Sequence, residues 1–246
     1  MTDPIDTGNP MSKPPVTTVS EAVARLAEIQ AWTEQNSSRR QHDGIACFSY
    51  LYHVVTARVL DSLEKGRFDD CDYLAHLDVV FANRYFDALR AYSTDPTSTP
   101  SSWDPLFECR EHAGIAPMQF AVAGVNAHVN FDLPMALVAV CEQMGRELGE
   151  GSQRNDYDRV NLVFADEMQT LRRHFESHFE RWIDEQVLSH LENVLGNFSV
   201  EAARDTAWDN AQVLWSLRGQ DCPEHAFIDS LDRLVGLAGR GVLTHL

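Results

Sequence analysis

The sequence predicts an all-α protein, a single-domain bundle of about seven to eight helices with one of them kinked at Pro134. Three observations carry that prediction. Apolar residues recur at helical spacing along nearly the whole chain, and strand-type alternation is sustained nowhere. Capping residues stand just ahead of the periodic stretches, at Thr18, Asp43, Asp70 or Asp72, Asp104 and Ser199. No linker is long enough to divide the chain, so residues 18–246 are read as one domain after a flexible tail, 1–17.

The elements follow in order. Thr18-Val19-Ser20-Glu21 has capping-box spacing and starts a helix that runs to about Gln35. After a polar connection, Asp43 caps a second helix with Phe48, Tyr52, Val55 and Val59 on one stripe, ended by Gly66. A third helix turns Leu74, Leu77, Phe81, Tyr85 and Leu89 inward. Ser93 to Ser102 is a loop, and Pro105 sits at the first position of a short helix. Pro117 opens a long apolar segment in which Pro134 has no N–H for the carbonyl of Asn130, so the helix must kink or restart. Beyond the break at Gly149 to Ser152, Asp156 to about Val194 reads as one long helix or two, with Val160, Phe164, Leu171, Phe175 and Trp182 buried. Ser199 caps a helix carrying Trp208, Ala211 and Trp215 to Gly219. The last helix starts at Pro223 and turns Phe227, Leu231, Leu234 and Ala238 inward.

At 246 residues the chain can bury a substantial core. Its formal net charge of −17 argues against gripping nucleic acid backbones or anionic lipid surfaces, both of which need clustered Lys and Arg. The five cysteines are scattered, without a C-x-x-C pair, and read as free thiols in a reducing compartment. No apolar run approaches a membrane span and no hydrophobic signal core is found near Met1. The expectation is a cytoplasmic protein with a small-molecule substrate or ligand, without membrane or nucleic acid partners, and open to homo-oligomer formation.

The chemistry concentrates at Asn126-Ala127-His128-Val129-Asn130-Phe131-Asp132, inside the apolar run from Met118 to Val140. Buried polar groups cost free energy unless each finds a partner. His128 and Asp132, four apart, lie on one helix face about 6 Å apart along the axis. That placement suits two ligands of one divalent metal, with zinc, manganese or iron matching an imidazole–carboxylate set. Further ligands must come from other helices. Asp78 stands on the apolar stripe of the third helix and His53 near the middle of the second. Asn126, Asn130, Asn83, Asp158 and Asn161 are candidates for orienting ligands or substrate from behind. The competing reading is structural: Asp132 caps a restarted helix, His128 bonds a carbonyl freed at the kink, and Asp78 pairs with Arg84 or Arg58. Asp69, Asp70 and Asp72 depart from D-D-x-x-D spacing and read as a helix cap. His174 and His178 lie on a charged face.

The stretches Leu77 to Phe86, Gln119 to Pro134 and Ala207 to Trp215 resemble a bacterial helical family of unknown function, which implies an all-α fold and no particular activity. More distantly, the H-x-x-x-D pair at His128 and Asp132 is similar to that of the zinc-dependent phospholipase C and single-strand nuclease superfamily. The second pair and the N-terminal Trp ligand usual there are not found, so the likeness implies at most one or two metal ions. The functional expectation is a metal-dependent hydrolase of a phosphoester or small polar ester. Its catalytic residues are His128 and Asp132, and His53, Asp78, His128 and Asp132 hold the metal. The alternative is a non-catalytic helical ligand-binding or interaction protein.

Overall fold

The computed structural model describes residues 8–177 and 199–244. Among them lie α1 (Val19–Asn36), α2 (Gly44–Glu64), α3 (Cys71–Thr94), α4 (Asp104–Cys109) and α5 (Pro117–Ala127). A π-helical turn, His128–Asp132, leads into α6 (Leu133–Met144), then α7 (Gln153–Ser177), α8 (Val200–Leu217) and α9 (Asp221–Val242). The fold is all-helical. With α5 and α6 counted as one kinked helix, the described residues hold eight helices and no strand.

All but one of the predicted caps form. Thr18, Asp43, Asp70 and Ser199 each accept a backbone N–H of the helix they open. Asp104 falls inside α4, with Trp103 at the cap. Helix α7 begins at Gln153, three residues before Asp156, whose side chain is buried and serves a neighbouring loop. The inward positions Leu171, Phe175 and Trp182 lie outside the described side chains.

The core is built around α5–α6. Helix α1 packs on α2, α2 on α5, α5 on α9, and α6 on both α3 and α8. Gly124 makes the α2–α5 approach possible: a Cβ there would sit 2.3 Å from the ring of Phe48. Two expectations fail. Residues 8–17 are packed chain and not a tail, with Met11 and Val16 buried and Asn83 bracketing Val16 through both backbone groups, at 2.8 and 2.9 Å. In α9, Leu234 is 64% exposed, and Val235, Gly236 and Gly239 are buried in its place. The glycines decide the face, because a Cβ on Gly236 would lie 2.2 Å from the Ser101 carbonyl oxygen. Close backbone approach has overridden apolar periodicity.

Candidate functional site

At the kink Leu133 N–H donates to the carbonyl of His128, five residues back. The turn carries one more residue than an α-helical one, the solution the chain finds to Pro134's missing N–H. It brings His128 and Asp132 together: Nδ1 of His128 lies 2.9 Å from Oδ2 of Asp132, both side chains being buried. A carboxylate only accepts, so Nδ1 is the donor and, in the neutral ring, Nε2 keeps its lone pair. Trp103 Nε1 donates to the same Oδ2 at 3.1 Å, and Arg84 Nε stands 3.4 Å from Oδ1. Asp132 is thus held from three sides. It orients the imidazole and does not cap α6.

The imidazole sits in an aromatic box. Phe81 stacks on it at 3.5 Å between ring centroids, and Tyr52 meets it edge-on at 4.6 Å. Phe48, Trp103 and Tyr85 complete the surround. Burial disfavours the imidazolium and lowers the pKa of His128, although Asp132 pulls the other way. Asn126 donates to the carbonyl of Val235 on α9, and Asn130 donates to Asn126. These two amides brace helices and do not face a ligand.

His128 also lines a cavity of about 70 Å³ between α2, α3, α5–α6, α7 and α8. Its walls are mostly aliphatic and aromatic, and Tyr52, Thr56, Asp78 and Arg204 share them. Two solvent-shielded atoms of these wall residues have no partner, Asp78 Oδ2 and His128 Nε2, while the side chains of Tyr52 and Thr56 interact with each other. Asp78 pairs with neither predicted arginine, since Arg84 reaches Asp132 and Arg58 pairs with Glu167 at 2.7 Å. Desolvation pushes its pKa up to about 7.

The predicted metal ligands do not all converge. Asp78 and His128 line one cavity, and Asp132 stands behind His128. His53 instead turns to α1, its Nδ1 donating to the Val23 carbonyl at 3.1 Å. Among the described residues no three His, Cys, Asp or Glu side chains gather in a way that could hold a metal ion. Asn83 is spent on Val16, Asp158 pairs with Arg154, and Asn161 accepts from Arg204. His174 stacks on Tyr50, and His178 lies outside the described residues. Among the described residues no helix is long and apolar enough to cross a membrane, and all five cysteines are free.

Three wall residues escaped the sequence reading. Tyr52 was read only as part of the apolar stripe of α2, and Thr56 carries no signal of its own. Arg204 had one: it falls on the stripe of Ala207, Trp208 and Ala211, where a charge is out of place.

A family model described as a family of unknown function (DUF5995) matches residues 19–245. The chain belongs to DUF5995. The match covers every helix of the fold, so the kinked helix and its cavity lie within the family's own domain. No curated protein and no solved structure matches the chain.

Proposed function

We propose that this DUF5995 chain binds a small, largely apolar molecule in the cavity and performs general acid–base chemistry on it with His128 and Asp78. One observation carries the reading. Two shielded polar atoms without partners, Asp78 Oδ2 and His128 Nε2, belong to residues that line one cavity. Each such orphan costs roughly 1–3 kcal/mol. A ligand with matching groups recovers that cost.

The two titratable groups are complementary. Near neutral pH His128 is an uncharged base, oriented by Asp132, with its lone pair on Nε2. Asp78, pushed up to about 7, holds its proton for part of the time and donates it. A proton taken at one point of the ligand and given at another is the reaction class these groups serve, ester hydrolysis included. The test is titration with a fragment set, followed through the imidazole NMR signals of His128 and the melting temperature. Fragments that shift both in wild type and leave the melting temperature of His128→Phe unmoved support the site. Asp78 and His128 bonded only to ordered water, with no fragment bound, would reduce the cluster to a structural network.

The free Nε2 lone pair favours one second reading, metal-assisted hydrolysis. His128 Nε2 and Asp78 would then be the protein ligands, and Asp132 the outer carboxylate that fixes the imidazole. Elemental analysis of untagged protein, with melting scans in the presence and absence of EDTA, separates the two. Near-stoichiometric Zn, Mn or Fe and a chelator-dependent melting point select the metal, and their joint absence discards it.

A further inference from the structure

The part of the cavity wall that α7 and α8 supply is Val160, Phe164 and Val200 together with one charged residue, Arg204. Arg204 is 7% exposed, and its hydrogen-bond partners are neutral. Nε donates to Asn161 Oδ1 at 2.5 Å, Nη2 donates to the Tyr157 carbonyl at 2.7 Å, and the guanidinium lies over the Tyr157 ring at 4.0 Å. The acids nearest in charge, Asp158 and Asp205, are both paired with Arg154, at 3.0 and 2.5 Å. Among the described residues no carboxylate reaches Arg204 at ion-pair distance and Nη1 has no hydrogen bond. A buried cation without a counter-ion is costly, and a guanidinium fork is the group best shaped to take a carboxylate.

We infer that the cavity's ligand is a short amphipathic carboxylate, its acid group on Arg204 and its apolar chain along Val59, Leu77, Phe164 and Leu133 toward His128. This inference rests on the cavity being a ligand site. The two wall regions divide the work: Arg204 reads the anionic head and sets specificity, while Asp78 and His128 meet whatever polar group the far end carries. Asp78 does not neutralise Arg204, because its pKa is governed by desolvation and not by the arginine.

The experiment titrates the full chain with hexanoate, hexan-1-ol and hexylamine, reading methyl NMR shifts of the cavity valines and leucines. Hexanoate is expected to bind at least about tenfold more tightly than hexan-1-ol, or about 1.4 kcal/mol. Arg204→Gln should abolish that preference, and Arg204→Lys should restore part of it. The acid-to-alcohol comparison on wild type decides the matter even if the variants fold poorly. Equal binding of acid and alcohol, or preference for the amine, would overturn the carboxylate assignment and leave the ligand site standing. No shift of any cavity methyl with any of the three would overturn both.

Discussion

Asp156 and Asp78 are both carboxylates held away from water on helices of the same domain, and the fold treats them in opposite ways. Asp156 accepts the backbone N–H groups of Asp69 and Asp70, each at 2.8 Å, the Ser152 hydroxyl at 3.0 Å and Arg159 at 2.9 Å. Asp78 has a shielded Oδ2 with no partner, on the wall of a cavity. The sequence is therefore able to satisfy an internal acid where structure alone is at stake. That it leaves Asp78 Oδ2 without a partner on the cavity wall fits the ligand site proposed above.

The largest expected effect tests the satisfied member. Asp156→Ala removes the clamp between α7 and the loop before α3 and leaves two backbone donors unpaired, at a cost of about 3–5 kcal/mol in urea unfolding. A loss below about 1 kcal/mol would erase the contrast with Asp78. The next effect has the opposite sign. An unfolded aspartate titrates near ~3.9 and Asp78 in the fold at about 7, so between these values the folded state holds a proton that the unfolded chain has released. The fold therefore loses stability as pH rises through that window, and bears the full penalty above it. Asp78→Asn should be more stable than wild type by about 2 kcal/mol at pH 8, discounted because part of the residue is exposed, and the gain should shrink through pH 5 and vanish near pH ~4. A gain that does not change with pH would place its origin elsewhere.

His128 supplies the opposite limb. Its folded pKa lies below the ordinary histidine value, so stability is lost as pH falls through and below ~6.5. The two slopes oppose each other and largely cancel where they overlap, below ~6.5, which leaves a final loss up to about pH 7 as Asp78 releases its proton and a plateau above it, and thermal melts between pH 5 and 9 would show that shape. Asn126→Ala strips the Val235 carbonyl and Asn130 of partners and should cost about 1–2 kcal/mol without altering that profile. The smallest change is Asn83→Ala, about 1 kcal/mol, read as faster proteolysis of residues 8–17 with the cavity signals unmoved.

The same pair of acids shows what could be read from the chain. Helix starts were legible because a cap is a local device, and Thr18, Asp43, Asp70 and Ser199 all act where their spacing places them. The i, i+4 spacing of His128 and Asp132 likewise put the two on one helix face, though not in the direct hydrogen bond that the π turn gives them. Asp78 was legible as a carboxylate on an apolar stripe, but not the absence of a partner, because partners come from other helices and helix order does not fix helix neighbours. Trp103 follows a Ser–Ser pair with no sign that it reaches Asp132. Leu234 misled because periodicity registers large residues, whereas the α9 contact is made where side chains are missing, at Gly236 and Gly239.

Helix α9 is tied to the middle of the chain by polar clasps of long sequence separation. Asp232 takes the N–H groups of Ser101 and Ser102, Asn126 donates to Val235, and Gln119 donates to Val242 and Thr244. During synthesis Gln119 and Asn126 leave the ribosome more than a hundred residues ahead of those carbonyls. The helix that bears His128 must therefore wait, apolar and incompletely bonded, until α9 has been made. Contacts of such high order slow folding and expose the nascent chain to aggregation. The kinked helix thus completes its hydrogen bonds only after the last helix has left the ribosome.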